Sequence, residues 1–201
     1  MSITTLPITP DAYRDFFKTL AENHKDIGHN DDGPVRFATV SDDMLAPWKV
    51  AELQEFLDNI KSRLNFGDEQ NGRKLAMILL EPAYDLEEPK RGYREVIDGG
   101  FWLLSKPGIK NHDERRQVCD MAQRAAKDIL KFFVDFDVAN STMMDIQDLK
   151  LDPIGPISVE RLYGYKLEFT INVKSQLVMQ ANAFQGLTPT RVIHSHGTYS
   201  N

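Results

Sequence analysis

Leu75-Ala76-Met77-Ile78-Leu79-Leu80 is the longest apolar run in the chain, and the expected architecture is built around it. Without polar residues at alternate positions, neither side of a strand built from it faces water, so it predicts a central strand buried on both faces. It is far short of the roughly 20 residues that a membrane span requires. Lys74 precedes the run and Pro82 follows it. The stretch from Asp85 to Arg94 is densely charged, with Glu87, Glu88, Lys90 and Arg91, and contains Pro89 and Gly92. That composition predicts an exposed hairpin tip or a disordered loop. A second strand follows over roughly Tyr93 to Ser105. Asp98-Gly99-Gly100 interrupts it, as a bulge or a close approach of another backbone would require. Pro107-Gly108 closes the hairpin.

Helical periodicity appears on both sides of this pair of strands. Thr9 as N-cap, Pro10 at the first helical position and Asp11 at the positive end of the dipole predict a helix start. Tyr13, Phe16, Phe17 and Leu20 then make its apolar face. Gly28 and His29-Asn30-Asp31-Asp32-Gly33-Pro34 form a turn-rich loop, and Val35 to Val40 a short strand. Between Asp42 and Asn65, Leu53, Phe56, Leu57, Ile60 and Leu64 predict a second helix with Pro47 in its first turn. A polar loop runs from Gly67 to Gly72.

The clearest helix spans Asn111 to Val134. Asn111 and Glu114 have capping-box spacing, and Val118, Met121, Ala122, Ala125, Ile129, Phe132 and Phe133 form the buried stripe. A strand over Thr142 to Leu151, a turn at Pro153-Ile154-Gly155-Pro156 and a long strand from Ser158 to Val173 complete the pattern. In that last strand Leu167, Phe169, Ile171 and Val173 face one way, with Lys166, Glu168, Thr170 and Asn172 opposite. Short turns between paired strands favour antiparallel pairing. The expected architecture is one α+β domain over residues 1–173, a mainly antiparallel sheet with helices packed on one face, followed by an arm over 174–201.

Composition narrows the function. At 201 residues the chain has the length of one ordinary domain, and 27% charged with 41% hydrophobic residues is a globular balance. Twenty-four basic against 30 acidic residues give a net charge of -6, which argues against broad coating of nucleic acid while leaving room for a local basic patch; no sequence-specific nucleic-acid partner is expected. The single cysteine, Cys119, excludes an internal disulfide framework and suits a reducing compartment. The N-terminus lacks the basic and apolar regions of a signal peptide. No membrane partner is expected.

Local chemistry is sparse. His194 and His196, two apart on an extended segment, point to one side and could share a zinc or iron ion. No neighbouring Cys, His, Asp or Glu completes the set, so a tail with incidental histidines is the plainer explanation. Asp85, Glu87, Glu88 and Lys90 have the residue types of a carboxylate-and-lysine nuclease core, but Pro89 interrupts them and a solvated loop explains them better. Cys119 lies beside the buried stripe without a paired histidine, as a packed residue does. His24, His29 and His112 fall at helix ends or in loops, where solvated histidines are common. Gly-x-Ser-x-Gly, Walker and Rossmann glycine motifs are all absent from the sequence. No catalytic, cofactor-binding or metal-binding residues are therefore assigned.

The segment from Ile154 to Phe169 combines a proline-glycine turn with a long aromatic strand, Tyr163-Gly164-Tyr165-Lys166-Leu167-Glu168-Phe169, ahead of the arm. Long closing strands of this kind occur in subunits that pair edge to edge. With the N-terminal helix, the charged hairpin between Leu80 and Phe101 and the helix from Asn111 to Val134, the order of elements over residues 10–173 resembles phage tail-terminator and tail-completion (neck) proteins. It also resembles their equivalents in contractile injection systems. The match is one of element order and strand style. The resemblance implies a non-enzymatic virion protein assembled in the host cytoplasm. It would be a homo-oligomeric, hexameric ring that ends the tail tube and joins it to neck, connector or head proteins, with no cofactor. On that reading Asp85, Glu87, Glu88, Lys90, Arg91, Tyr163, Tyr165 and Lys166 contribute to subunit or partner interfaces. The alternatives are a metal-dependent enzyme using His194 and His196, and a monomeric or dimeric adaptor module.

Overall fold

The apolar run lies inside a sheet whose neighbours seal it on both sides. The computed structural model describes residues 6–41, 64, 75–87, 94–106, 112–140, 144–157 and 161–173. These residues form helices α1 (Pro10–Asn23) and α2 (His112–Ala139). Their strands are β1 (Phe37–Ser41), β2 (Ala76–Glu87), β3 (Arg94–Ser105), β4 (Met144–Ile157) and β5 (Leu162–Val173). The strands make one five-stranded sheet in the order β1-β2-β3-β5-β4. β1 pairs with β2 in parallel, and the other pairings are antiparallel. The fold is α+β, with both helices on one face. Every residue from Leu75 to Leu80 is buried.

Local signals act where the sequence places them. The Thr9 hydroxyl accepts the Ala12 N–H at 3.3 Å, Pro10 opens α1 and Asp11 sits in its first turn. The aromatic face of α1 meets that of α2. Phe16 lies 5.5 Å from Phe133 and 5.1 Å from Phe136 between ring centroids, and Phe17 lies 5.7 Å from Phe169 on β5. Val118, Ala122, Ala125, Ala126, Ile129 and Phe133 of α2 are buried against the sheet. Phe132, expected in that stripe, is 44% exposed. Positions 129 and 133 share one helix face, which turns 132 to the flank. No helix among the described residues is long and apolar enough to cross a membrane.

Several boundaries differ from expectation, each for a backbone reason. Pro82 does not end β2, because the register shifts between Leu80 and Ala83 and absorbs the residue without an N–H donor. Pro153 to Pro156 is not a turn: β4 runs through it to Ile157. β4 lies at the edge of the sheet, where one side of the strand needs no ladder donors, and a second register shift between Ile154 and Ile157 accommodates the prolines. β5 accordingly starts at Leu162 rather than Ser158, and α2 continues past Val134 to Ala139. With β4 extended, β5 is flanked on both sides, so the closing strand is not a sheet edge. The helix expected within Asp42–Asn65 falls outside the described residues except for Leu64, which is buried. The Gly67–Gly72 loop, Asn111, Pro107-Gly108 and the arm over 174–201 also lie outside them.

The glycines at 99 and 100 serve the close approach. A Cβ on Gly99 would stand 2.4 Å from the Tyr13 hydroxyl oxygen, and one on Gly100 would stand 2.6 Å from the Leu167 carbonyl. Tyr13 is fully buried, and its hydroxyl accepts the Gly100 N–H at 3.1 Å, opposite the bulge in β2. Burial pushes that phenol far above its ordinary range. α1 is thereby fastened to the centre of the sheet by a neutral hydroxyl.

Candidate functional site

The residues expected at interfaces are divided between the two ends of the sheet. Asp85 is exposed near the end of β2, opposite Val96, and Glu87 is the last residue of β2, opposite Arg94. Glu88, Lys90 and Arg91 lie outside the described residues, as do His194 and His196. Tyr163 and Tyr165 pair with Ser105 and Leu103. Seven ladder positions separate Leu103 from Val96, roughly 23 Å at the rise of an extended strand. Both tyrosines are half-buried beneath α2. The Tyr165 hydroxyl accepts from Gln123 Nε2 at 3.3 Å, and the Arg115 guanidinium lies 5.6 Å from the Tyr163 ring centroid. Part of their aromatic surface is thus used inside the domain. Lys166 points to the opposite face, with Nζ 2.9 Å from Glu168 and 3.9 Å from Asp152.

What the topology does bring together is the hairpin end and the exit of the chain. Glu87 pairs with Arg94, Glu95 with Val173, and Val173 with Met144. The connection over 88–93 and the continuation past Val173 therefore leave from the same end of the sheet. α2 also finishes there, with Val138 68% exposed just before β4 begins. No local sequence signal carries this convergence, because it depends on β5 pairing with β3.

The face without α1 and α2 has two halves. At one end Val40, Leu64, Ala76, Ile78, Leu104 and Leu162 form a small buried cluster flanked by Val35, Ala38, Trp102, Ile154 and Ile157. At the other, the bulges in β2 and β4 shape a cleft of about 250 Å³. Four carboxylates line it (Glu81, Asp98, Asp148 and Glu168), with Lys150 and Thr170. The Thr170 hydroxyl donates to Asp98 at 2.6 Å, and Lys166 holds Glu168. Asp148 takes a left-handed conformation, φ 52°, where β4 shifts register. Such a surface suits cationic groups, and the pairing of Asp98 and Glu168 lowers the cost of holding the carboxylates close.

Glu22, His29 and Asp31 approach within 4.8 Å of one another, close enough to share an ion. Their hydrogen bonds argue against that use. His29 Nδ1 accepts the Arg36 N–H at 3.1 Å, so the neutral ring carries its hydrogen on Nε2, which faces Asp31 at 2.9 Å. Neither ring nitrogen then has a free lone pair for a metal. The Lys18 ammonium already neutralises Asp31, and this pairing holds its carboxyl below the usual range. His29, expected to be solvated, is instead buried at 5% exposure. The Phe37 ring packs beside it, 5.8 Å away between centroids. At Cys119, burial and then Asp120 push the thiol pKa up, opposite to what an activated nucleophile needs.

No protein-family model matches the chain, and no curated protein shows significant similarity to it.

Proposed function

We propose that the protein is a structural ring subunit of a phage tail or a related contractile machine, ending the tail tube and joining it to neck or head proteins. The observation that carries this reading is the convergence just described. The charged segment after Glu87 and the chain beyond Val173 leave one end of the sheet together, as Glu95–Val173 pairing requires. A ring closes through unlike surfaces on successive subunits. Chain leaving at one pole can engage a neighbour without opening the core. The α+β order of elements supports the same analogy at the level of fold. In this reading the protein is a virion component assembled in the host cytoplasm. It makes homo-oligomeric contacts and contacts to tail-tube and neck proteins, without cofactor or catalytic chemistry.

Light scattering with negative-stain imaging of the purified full chain tests it. Rings of about six subunits are expected. A chain ending at Val173 should keep the circular dichroism of the domain and lose the rings. Equal assembly by the truncated and full chains would remove the converging segment from the interface. A full chain that stays monomeric at high concentration and on isolated tail tubes would end the ring reading.

A further inference from the structure

The connection between α1 and β1 uses its two histidines in the same unusual way. His24 Nδ1 accepts the Asp26 N–H at 3.2 Å, and His29 Nδ1 accepts the Arg36 N–H at 3.1 Å. The two residues held in this way are themselves bonded to the start of β2 and to the residue before it. The Asp26 carbonyl accepts the Leu75 N–H at 3.2 Å, and the Arg36 carbonyl accepts the Met77 N–H at 2.8 Å. Each imidazole therefore holds the N–H of a residue whose own carbonyl, one peptide unit further on, is bonded to the start of the central apolar run. The other ring nitrogen faces a carboxylate in both cases: His24 Nε2 lies 3.6 Å from Asp128 Oδ2 on α2, and His29 Nε2 lies 2.9 Å from Asp31 Oδ1. With Nδ1 accepting, the neutral ring has its hydrogen on Nε2, and a second proton has only Nδ1 to occupy. There it would meet an N–H donor head-on.

We propose that the α1–β1 connection is an acid-released latch, in which protonation of His24 and His29 at Nδ1 expels the Asp26 and Arg36 amides and loosens the grip on β2. Among the described residues, the charged groups around His24 are Lys25 and Asp26 in the connection and Asp128 on α2. Around His29 they are Asp31 in the connection, Lys18 and Glu22 on α1, and Arg36. At His24 the Asp26 and Asp128 carboxylates favour the second proton, whereas burial, Lys25 and the lost backbone bond oppose it. At His24 burial is the largest influence and lowers the pKa below its ordinary value. Its neutral form therefore supports the fold fully above the ordinary imidazole pKa, about 6.5. That support is lost as pH falls through the lower folded-state value.

Ring-nitrogen NMR and amide exchange on the full chain, from about pH 7.5 to about pH 5, test the latch. Both rings should show the Nε2–H tautomer at the upper end. On acidification the Asp26 and Arg36 amides should lose protection by about tenfold or more, after correction for intrinsic rates. Phe101 and Leu167, in the middle of the sheet, should keep theirs. An Nδ1–H tautomer in either ring overturns the proposal. So does ring titration without loss at the two amides, or simultaneous loss across the whole sheet. The double variant His24→Asn, His29→Asn offers an amide oxygen near each Nδ1 position and should remove the acid response. An unchanged response in a folded double variant also overturns the latch, and should the variant not fold, the wild-type measurements alone decide.

Discussion

The two faces of the sheet bury apolar surface by different means. Under the helices, Tyr13, Phe16, Phe17, Phe101, Phe133 and Phe169 interlock, and two helices supply the covering layer. Across the sheet, the smaller cluster is aliphatic apart from the flanking Trp102, and it gives way within the same strands to a carboxylate-lined cleft. The faces share their backbones, so the difference arises in side chains one position apart. On β5, Leu167, Phe169 and Ile171 serve the first face while Lys166, Glu168 and Thr170 serve the second. The helix-covered face supplies cohesion, and the polar half of the other is available for contacts with something else.

The largest test of this contrast is Phe17→Ala. Phe17 is completely buried and touches rings from α1, α2, β3 and β5. Its loss should cost about 3–5 kcal/mol in denaturant unfolding. A cost comparable to a surface change would break the comparison. Tyr13→Phe is smaller and more pointed. It preserves the ring but leaves the Gly100 N–H without its acceptor, for an expected loss of about 1–3 kcal/mol. A neutral result would mean that water replaces the hydroxyl and that the joint between α1 and the sheet is apolar alone. Thr170→Val, on the cleft, removes an exposed hydrogen bond to Asp98 and should change stability by less than about 1 kcal/mol. A larger loss would make the cleft part of the scaffold rather than a surface.

Much of the scaffold follows from local signals. Thr9-Pro10-Asp11 sets the start of α1, six consecutive apolar residues announce the doubly buried strand, and alternation separates the faces of β5. The errors share one cause, the dependence of backbone demands on a residue's place in the sheet. Pro153 and Pro156 read locally as a turn but are compatible with an outer strand, and an edge position becomes visible only when all pairings are assembled. The same ignorance made β5 look like an edge, although β3 and β4 flank it, and hid the contacts that Tyr163 and Tyr165 make with α2. The parallel pairing of β1 with β2 likewise requires knowledge of a crossover between distant segments. Of the candidate sites, the cleft arises from two bulges on strands far apart in sequence. His29 looked solvated because its acceptor role depends on the N–H of Arg36, seven positions later.

The placement of β5 between β3 and β4 also bears on how the chain is made. β5 is the last of the described strands in order of synthesis, yet β4 has only β5 to pair with, and β3 gains its second ladder from it. Phe169, one of the rings that Phe17 packs on, lies 152 residues after it in the sequence. β4 therefore cannot join the sheet until β5 has been made. α1, with its aromatic face unfilled, must wait for the C-terminal half or be sheltered meanwhile. A chain stopped short of β5 leaves β4 without a partner and lacks the inner wall of its aromatic core.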